Sequence, residues 1–146
     1  MFSCTFIGHR DCPDFIEDEL YMQVENLIVN NSVKKFYVGS EGKFDFITYK
    51  VLLKLKKKYN IEILVVLAYL DNKKNYYNQS FTVFPEILEK TPRRYAILKR
   101  NHYMIDKSQF MICYVDNSFT NAYSFLKYAL IKKLKVINLG KYIPPN

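Results

Sequence analysis

Glycine and proline are scarce in this chain, four and five residues in 146. That excludes a collagen-like or linker-like polymer and suits regular helices and strands joined by tight loops. No apolar run approaches the roughly 18 residues that cross a bilayer. The longest, residues 61–70, carries Glu62 and reads as a buried strand. The amino terminus lacks a basic segment followed by an apolar stretch and a small-residue cleavage site, which argues against a secretory signal. Histidine is limited to His9 and His102, with no acids clustered around them, so a metal site has little support. Three cysteines form an odd set without a Cys-x-x-Cys pair. Cys4 and Cys113 fall in strand-like runs and read as buried reduced thiols, whereas Cys12 falls in the first loop, where exposure and reactivity stay open. These absences point to a cytoplasmic protein.

What is present is apolar. Hydrophobic residues make up 49% and aromatics 16%, too much for disorder and enough for one core in a single domain over residues 1–146. The net charge is +8 and the pI near 9.3, which raises nucleic-acid binding through phosphate contacts. The lysine pairs and triplets (Lys34-Lys35, Lys56-Lys57-Lys58, Lys73-Lys74, Lys132-Lys133) are separated along the chain, and several close a helical segment. Lysine there complements the helix dipole and faces solvent, so the expectation is weak, sequence-blind association with nucleic acid and no membrane partner.

Strand-like runs at residues 3–8, 33–38, 63–67, 110–115 and 135–139 alternate with amphipathic patterns at 13–29, 44–55, 85–90, 96–106 and 121–132. Residues 71–80 read as an exposed polar loop, and residues 143–146 as a terminal stop. Such alternation predicts an α/β fold in three layers, a mainly parallel five-stranded sheet with helices on both faces. Right-handed crossovers leave few topologies, and the expected order is 3-2-1-4-5.

The first strand stops at Gly8 and presents His9 and Arg10 before the first helix. The second runs into Gly39-Ser40-Glu41-Gly42 before the next. In an open α/β sheet these junctions lie at the carboxyl ends of strands, where ligands bind, and Asp116-Asn117-Ser118 border the same switch-point crevice. Gly39 to Gly42 lets backbone amides approach an anion at a helix start, although a tight strand-to-helix turn explains the same residues. Glu41 repels phosphate and suits a ribose or base instead. Arg10 and Arg100 have the forked N–H geometry that holds phosphate, with a salt bridge as the alternative for each. Tyr69 offers a stacking face for a base, or core packing. No dinucleotide fingerprint, P-loop or Ser-His-Asp order appears, so no catalytic residue and no cofactor is assigned.

Four segments carry a resemblance: Phe6-Ile7-Gly8-His9-Arg10, Phe36-Tyr37-Val38-Gly39-Ser40-Glu41-Gly42-Lys43-Phe44-Asp45, Pro85-Glu86-Ile87-Leu88-Glu89 and Lys99-Arg100-Asn101-x-x-Met104. In that order they resemble the SLOG superfamily, most closely its YpsA/YoqJ-like branch from Firmicutes and their phages, over nearly the whole chain. The resemblance implies a Rossmann-like fold and a nucleotide-derived ligand at the strand ends. Relatives include DprA, which binds single-stranded DNA, LOG phosphoribohydrolases, and sensor domains in bacterial immunity. The Arg-Lys pair of LOG enzymes would fall on Arg100-Asn101. Their Pro-Gly-Gly-x-Gly-Thr-x-x-Glu loop would fall on residues 116–123, without its glycines and with Tyr123 at the acid position.

The expectation is therefore a sensor or sequestering protein for a small nucleotide-derived molecule. Arg10 and Arg100 hold phosphate, Gly8 and Gly39 give backbone access, and Glu41 and Asn101 contact ribose or base. His9, Ser40, Gly42, Tyr69, Asp116, Asn117, Ser118 and Thr120 complete the candidate set. The alternatives are single-strand binding as in DprA, and a nucleotide N-glycoside hydrolase of altered LOG type in which Glu41 supplies the carboxylate. Self-association is left open.

Overall fold

The computed structural model describes residues 2–70 and 77–141. Strands β1 (Phe2–Gly8), β2 (Val33–Val38), β3 (Glu62–Val66), β4 (Thr82–Val83), β5 (Phe110–Tyr114) and β6 (Lys135–Asn138) form one sheet in the order β4-β3-β2-β1-β5-β6. Every neighbouring pair is parallel. The helices are α1 (Ile16–Asn31), α2 (Lys43–Lys56), α3 (Glu86–Glu89), α4 (Ala96–Asp106) and α5 (Asn121–Ile131). The result is an α/β fold of Rossmann-like architecture.

Side-chain alternation along the strands assigns the layers. Cys4, Phe6, Phe36, Val38, Phe110 and Ile112 point into one core with Leu20 and Val24 of α1 and Ile47 and Val51 of α2. Ile7, Tyr37, Met111 and Cys113 point the other way, onto Met104 and Ile105 of α4 and Phe125 and Leu126 of α5. Both faces of β5 are covered, which is why that strand reads as an unbroken apolar run. In α1, Ile16, Leu20, Val24 and Leu27 are the buried stripe, and Ser32 ends the helix in the left-handed conformation with its N–H donating to the Leu27 carbonyl. The helix starts at Ile16 because residues 13–15 form a separate turn, in which the Ile16 N–H reaches the Pro13 carbonyl. Lys50 and Lys54 turn away from the core, both onto Glu17.

Several expectations need correction. The sheet has six strands, not five: β4 adds an edge beside β3, pairing Val65 with Thr82 and Val66 with Val83. A two-residue strand shows no periodicity, and its conformation is set by the neighbouring β3, including the Leu67 N–H bond to the Val83 carbonyl. The other five strands keep the expected order. Of the polar loop at 71–80, residues 71–76, including Lys73-Lys74, lie outside the described residues, as does the stop at 143–146. The rest of that loop is not wholly exposed: Tyr77 is buried edge-on against Tyr49, and residues 79–81 form a 3-10 turn. Cys12, whose exposure the sequence leaves open, is buried within the β1–α1 connection. Among the described residues no helix is long and apolar enough to cross a membrane.

Gly8 closes β1 against the Phe44 ring, and a Cβ there would stand 2.4 Å from that ring. Gly8→Ala therefore overpacks the β1–α2 contact and is expected to lose about 1–3 kcal/mol of stability, read by urea unfolding. In a Phe44→Leu background the same substitution should cost clearly less. Equal costs in both backgrounds would show that the ring is not the constraint.

Candidate functional site

The sheet reverses its winding between β1 and β5, and beside this point a cavity of about 510 Å³ is lined from the carboxyl end of β1, the β2–α2 turn, α4 and the start of α5. This is the location at which open α/β sheets place their ligands. Ile7, Ile97, Ala122 and Phe125 give the cavity an apolar lining, while Gly8, His9 and Arg10 bring in the end of β1. Two guanidinium groups, Arg10 and Arg100, share the lining with three carboxylates, Asp11, Glu41 and Asp45.

Arg100 is the central group. It projects from α4, is 3% exposed, and spends Nη1 on the Val66 carbonyl at 3.2 Å and Nε on Asn101 Oδ1 at 2.7 Å. Burial lowers its pKa from the ordinary guanidinium value, while the nearby charges of Asp45 and Glu41 oppose that shift. An arginine so placed stays charged at neutral pH. Its head lies flat on Gly39: a Cβ at that position would stand 2.6 Å from both Arg100 Nη1 and Asp45 Oδ2. Gly39 thus makes room for the guanidinium rather than for a ligand, and it does not line the cavity.

His9 joins the two strands across the crevice. Its Nε2 accepts from the Asp116 N–H at 2.9 Å, so the ring proton sits on Nδ1 and is donated to Thr120 Oγ1, also at 2.9 Å. Its own N–H donates to the Tyr114 carbonyl, and the Tyr114 ring meets the imidazole edge-on. Both ring nitrogens are therefore committed to holding the β5–α5 connection, and His9 positions the wall instead of reaching into the cavity. Thr120 is the residue before α5, and its hydroxyl serves His9 rather than capping the helix.

The Gly39 to Gly42 segment differs from the expected phosphate cradle. The Glu41 N–H donates to Asp45 Oδ2 at 2.9 Å, and the Lys43 N–H donates to the Arg10 carbonyl at 2.9 Å. Two of the amides that an anion would use are already satisfied within the chain. Gly42 has φ +95°, which favours glycine, and a Cβ there would meet Arg10 at its Cα and the base of its side chain. Ser40 is buried beside this turn.

Seven of the candidate residues meet at the cavity: Gly8, His9, Arg10, Glu41, Arg100, Asn101 and Thr120. Gly39, Ser40, Gly42, Tyr69, Asp116, Asn117 and Ser118 do not line it. Tyr69 sits half-buried in a satellite cluster with Ala68, Leu88 and Ala96, and its face is occupied by the Arg93 guanidinium at 4.1 Å. Asp116 accepts from the Lys141 N–H, and Asn117 Oδ1 closes a turn onto the Phe119 N–H. Sequence reasoning missed Asp11, Asp45, Ile97 and Phe125. The first two stand within or beside the segments that carry the family resemblance. The last two are indistinguishable in sequence from core positions of an amphipathic helix. Among the described residues no group of three or more His, Cys, Asp or Glu side chains stands close enough to hold a metal ion. No protein-family model and no curated protein matches the chain.

Cys12, the one thiol near the cavity wall, is 1% exposed. Burial pushes its pKa up to about 11, against the opposing charge of Lys43. On the order of one molecule in a thousand then carries the thiolate at about pH 8. With Cys4 and Cys113 also buried, a disulfide-exchange reagent should label no thiol in the native protein within minutes and all three on unfolding. Rapid native labelling at Cys12 would show instead that the β1–α1 connection opens.

Proposed function

We propose that this protein binds a small nucleotide-derived ligand in the cavity between β1 and β5, as a SLOG-like sensor or sequestering protein. The observation that carries this reading is the composition of that cavity at the switch point. An apolar side built by Ile97 and Phe125 suits a base, and guanidinium and carboxylate groups beside it suit a phosphate and a ribose. The motif resemblance supports the same ligand class. Arg10 is exposed and free to close on an anion, whereas Arg100 acts from a fixed position. Three carboxylates against two guanidiniums favour a ligand with one phosphate or phosphodiester over a triphosphate, whose added charge would face the acids at close range.

Thermal-shift measurements against nucleoside monophosphates, cyclic nucleotides, ADP-ribose and nucleoside triphosphates test this. A ligand at 100 times its Kd stabilises the fold by about 2.7 kcal/mol, on the order of 8 °C for a chain of this length. Arg10→Ala should remove most of that shift while leaving the unliganded melting point nearly unchanged, because the side chain is exposed. Arg100→Ala is a poorer probe, since it removes a buried charge beside Asp45. Arg100→Lys keeps the charge and should weaken binding through loss of the forked contact. A ligand bound equally by the parent and by Arg10→Ala would place the site elsewhere.

A second reading, N-glycosidic hydrolysis, is favoured by the carboxylate of Glu41 in the cavity lining. A carboxylate there stabilises the positive ribosyl centre of such a reaction. Tyr123, at the position matching the LOG glutamate, is instead covered by the Lys127 ammonium at 4.7 Å. We expect no base release from AMP above a buffer control. Turnover lost in Glu41→Gln with binding intact would make this protein a hydrolase.

A further inference from the structure

Helix α1 carries apolar residues on both of its faces. Ile16, Leu20, Val24 and Leu27 fill the core, yet on the opposite face Phe15, Met22 and Val29 are 81%, 65% and 59% exposed. A surface helix ordinarily turns charged and polar side chains to solvent. Phe15 precedes the helix by one residue and already has helical dihedrals, φ −68° and ψ −8°. The three side chains therefore stand seven residues apart on one helical path, and a seven-residue step returns to within about 20° of the same direction. They form one row along the crest of α1, not three scattered exposures.

Two observations say what covers this row. The first is its symmetry. Met22 stands midway, so a two-fold axis through it lays the row on itself: Phe15 of each copy meets Val29 of the other, and Met22 meets Met22. A surface that is its own complement fits a second copy of the same chain. The second is charge. Helix α1 contains no lysine or arginine, and its exposed face carries Asp18 and Glu19 before Met22 and Asn26 and Asn30 after it. A parallel pair would set these acids against themselves, whereas an antiparallel pair turns them toward the amides. Glu25, the acid nearest that register, is already matched by Lys58 at 2.8 Å. The antiparallel arrangement also brings Lys34, exposed just beyond the helix, toward the acidic first turn of the other copy.

Charge singles out this side of the sheet as well. Residues 11–58, which contain α1 and α2, hold eight carboxylates and eight lysines. Residues 93–135, which contain α4 and α5, hold nine lysines and arginines against two carboxylates, so most of the +8 excess sits on the opposite layer. Two copies meeting through that basic layer would repel each other, and two meeting through α1 do not.

We infer that α1 is the contact through which two copies of this chain associate, helix against antiparallel helix across a two-fold axis at Met22. A contact built on one helix of 16 residues, roughly 24 Å long, is at the small end for a stable dimer. Association is therefore expected at about micromolar concentration.

Sedimentation velocity between about 2 and 200 μM tests this, since a micromolar dimer dissociates within that range. The mass should rise from 17.4 kDa toward twice that value. Met22→Glu puts two carboxylates on the axis and should weaken association at least about tenfold. Ile131→Glu, at a residue of α5 that is 75% exposed, should change it less than about twofold. Cross-linking reads the register, because the three native cysteines are buried. At the upper concentration Met22→Cys should close a disulfide between copies under mild oxidation. Phe15→Cys and Val29→Cys should each fail to pair with themselves and should pair when the two variants are mixed. A protein that stays monomeric throughout the range, or equal losses from Met22→Glu and Ile131→Glu, would overturn the inference. So would self-pairing of Phe15→Cys as fast as the mixture, or growth beyond a dimer, which marks head-to-tail contacts.

Discussion

A buried guanidinium organises the carboxyl edge of the sheet on its β2–β3 side. Moving a charge out of water is costly, and it is tolerated only where acceptors and an opposite charge surround it. Arg100 meets that condition by gathering four elements: the Val66 carbonyl at the end of β3, Gly39 at the end of β2, Asp45 on α2 and Asn101 on its own helix. Asp45 in turn receives the Glu41 N–H and so fixes the β2–α2 turn. Removing Asp45 or Asn101 takes from the buried guanidinium a neighbouring charge or an acceptor. Gly39 follows from the same constraint, because any larger residue would displace the guanidinium.

His9 does for β1 and β5 what Arg100 does for β2 and β3. Its ring spans the crevice where the sheet reverses and fixes the loop leading into α5 through two bonds of 2.9 Å. Cα–Cα pairing between β1 and β5 ends at Gly8 and Tyr114, so this ring extends the connection beyond the last sheet pair. A cavity with walls braced in this way is pre-organised, and binding there does not have to order the loops first. The groups left to respond to a ligand are those at the mouth, chiefly Arg10.

Much of this architecture is legible from residue pattern. Helix α4 spans the residues 96–106 expected from its periodicity, and five strands occupy their expected order, because continuous apolar runs and 3.6-residue stripes report burial directly. What pattern does not report is which partner a residue meets. Gly8, Gly39 and Gly42 read as access points for a ligand, yet each faces a group of the chain itself: the Phe44 ring, the Arg100 head, and the Cα and base of the Arg10 side chain. Cys12 lies in a connecting segment but is buried, which its position in the sequence does not report. Tyr69 is a stacking residue, as its type suggests, but the partner is Arg93. The charge asymmetry was equally hidden, since lysines distant in sequence acquire a common face only when α4 and α5 pack side by side.

That asymmetry and the cavity are physically connected. The cavity borrows Ile97 and Arg100 from α4 and Phe125 from α5, so it lies against the basic layer. The field of that layer attracts any anion that approaches, with a range of about 8 Å at physiological ionic strength. In the lining, Asp11, Glu41 and Asp45 act over contact distances, and of the three only Asp45 is buried, beside Arg100. Attraction at a distance therefore does not discriminate among anions, and the carboxylates do: each additional phosphate gains little from the screened outer field and meets the full repulsion of the lining. The proposed preference for a ligand with a single phosphate rests on this difference in range between the outer basic layer and the inner carboxylates.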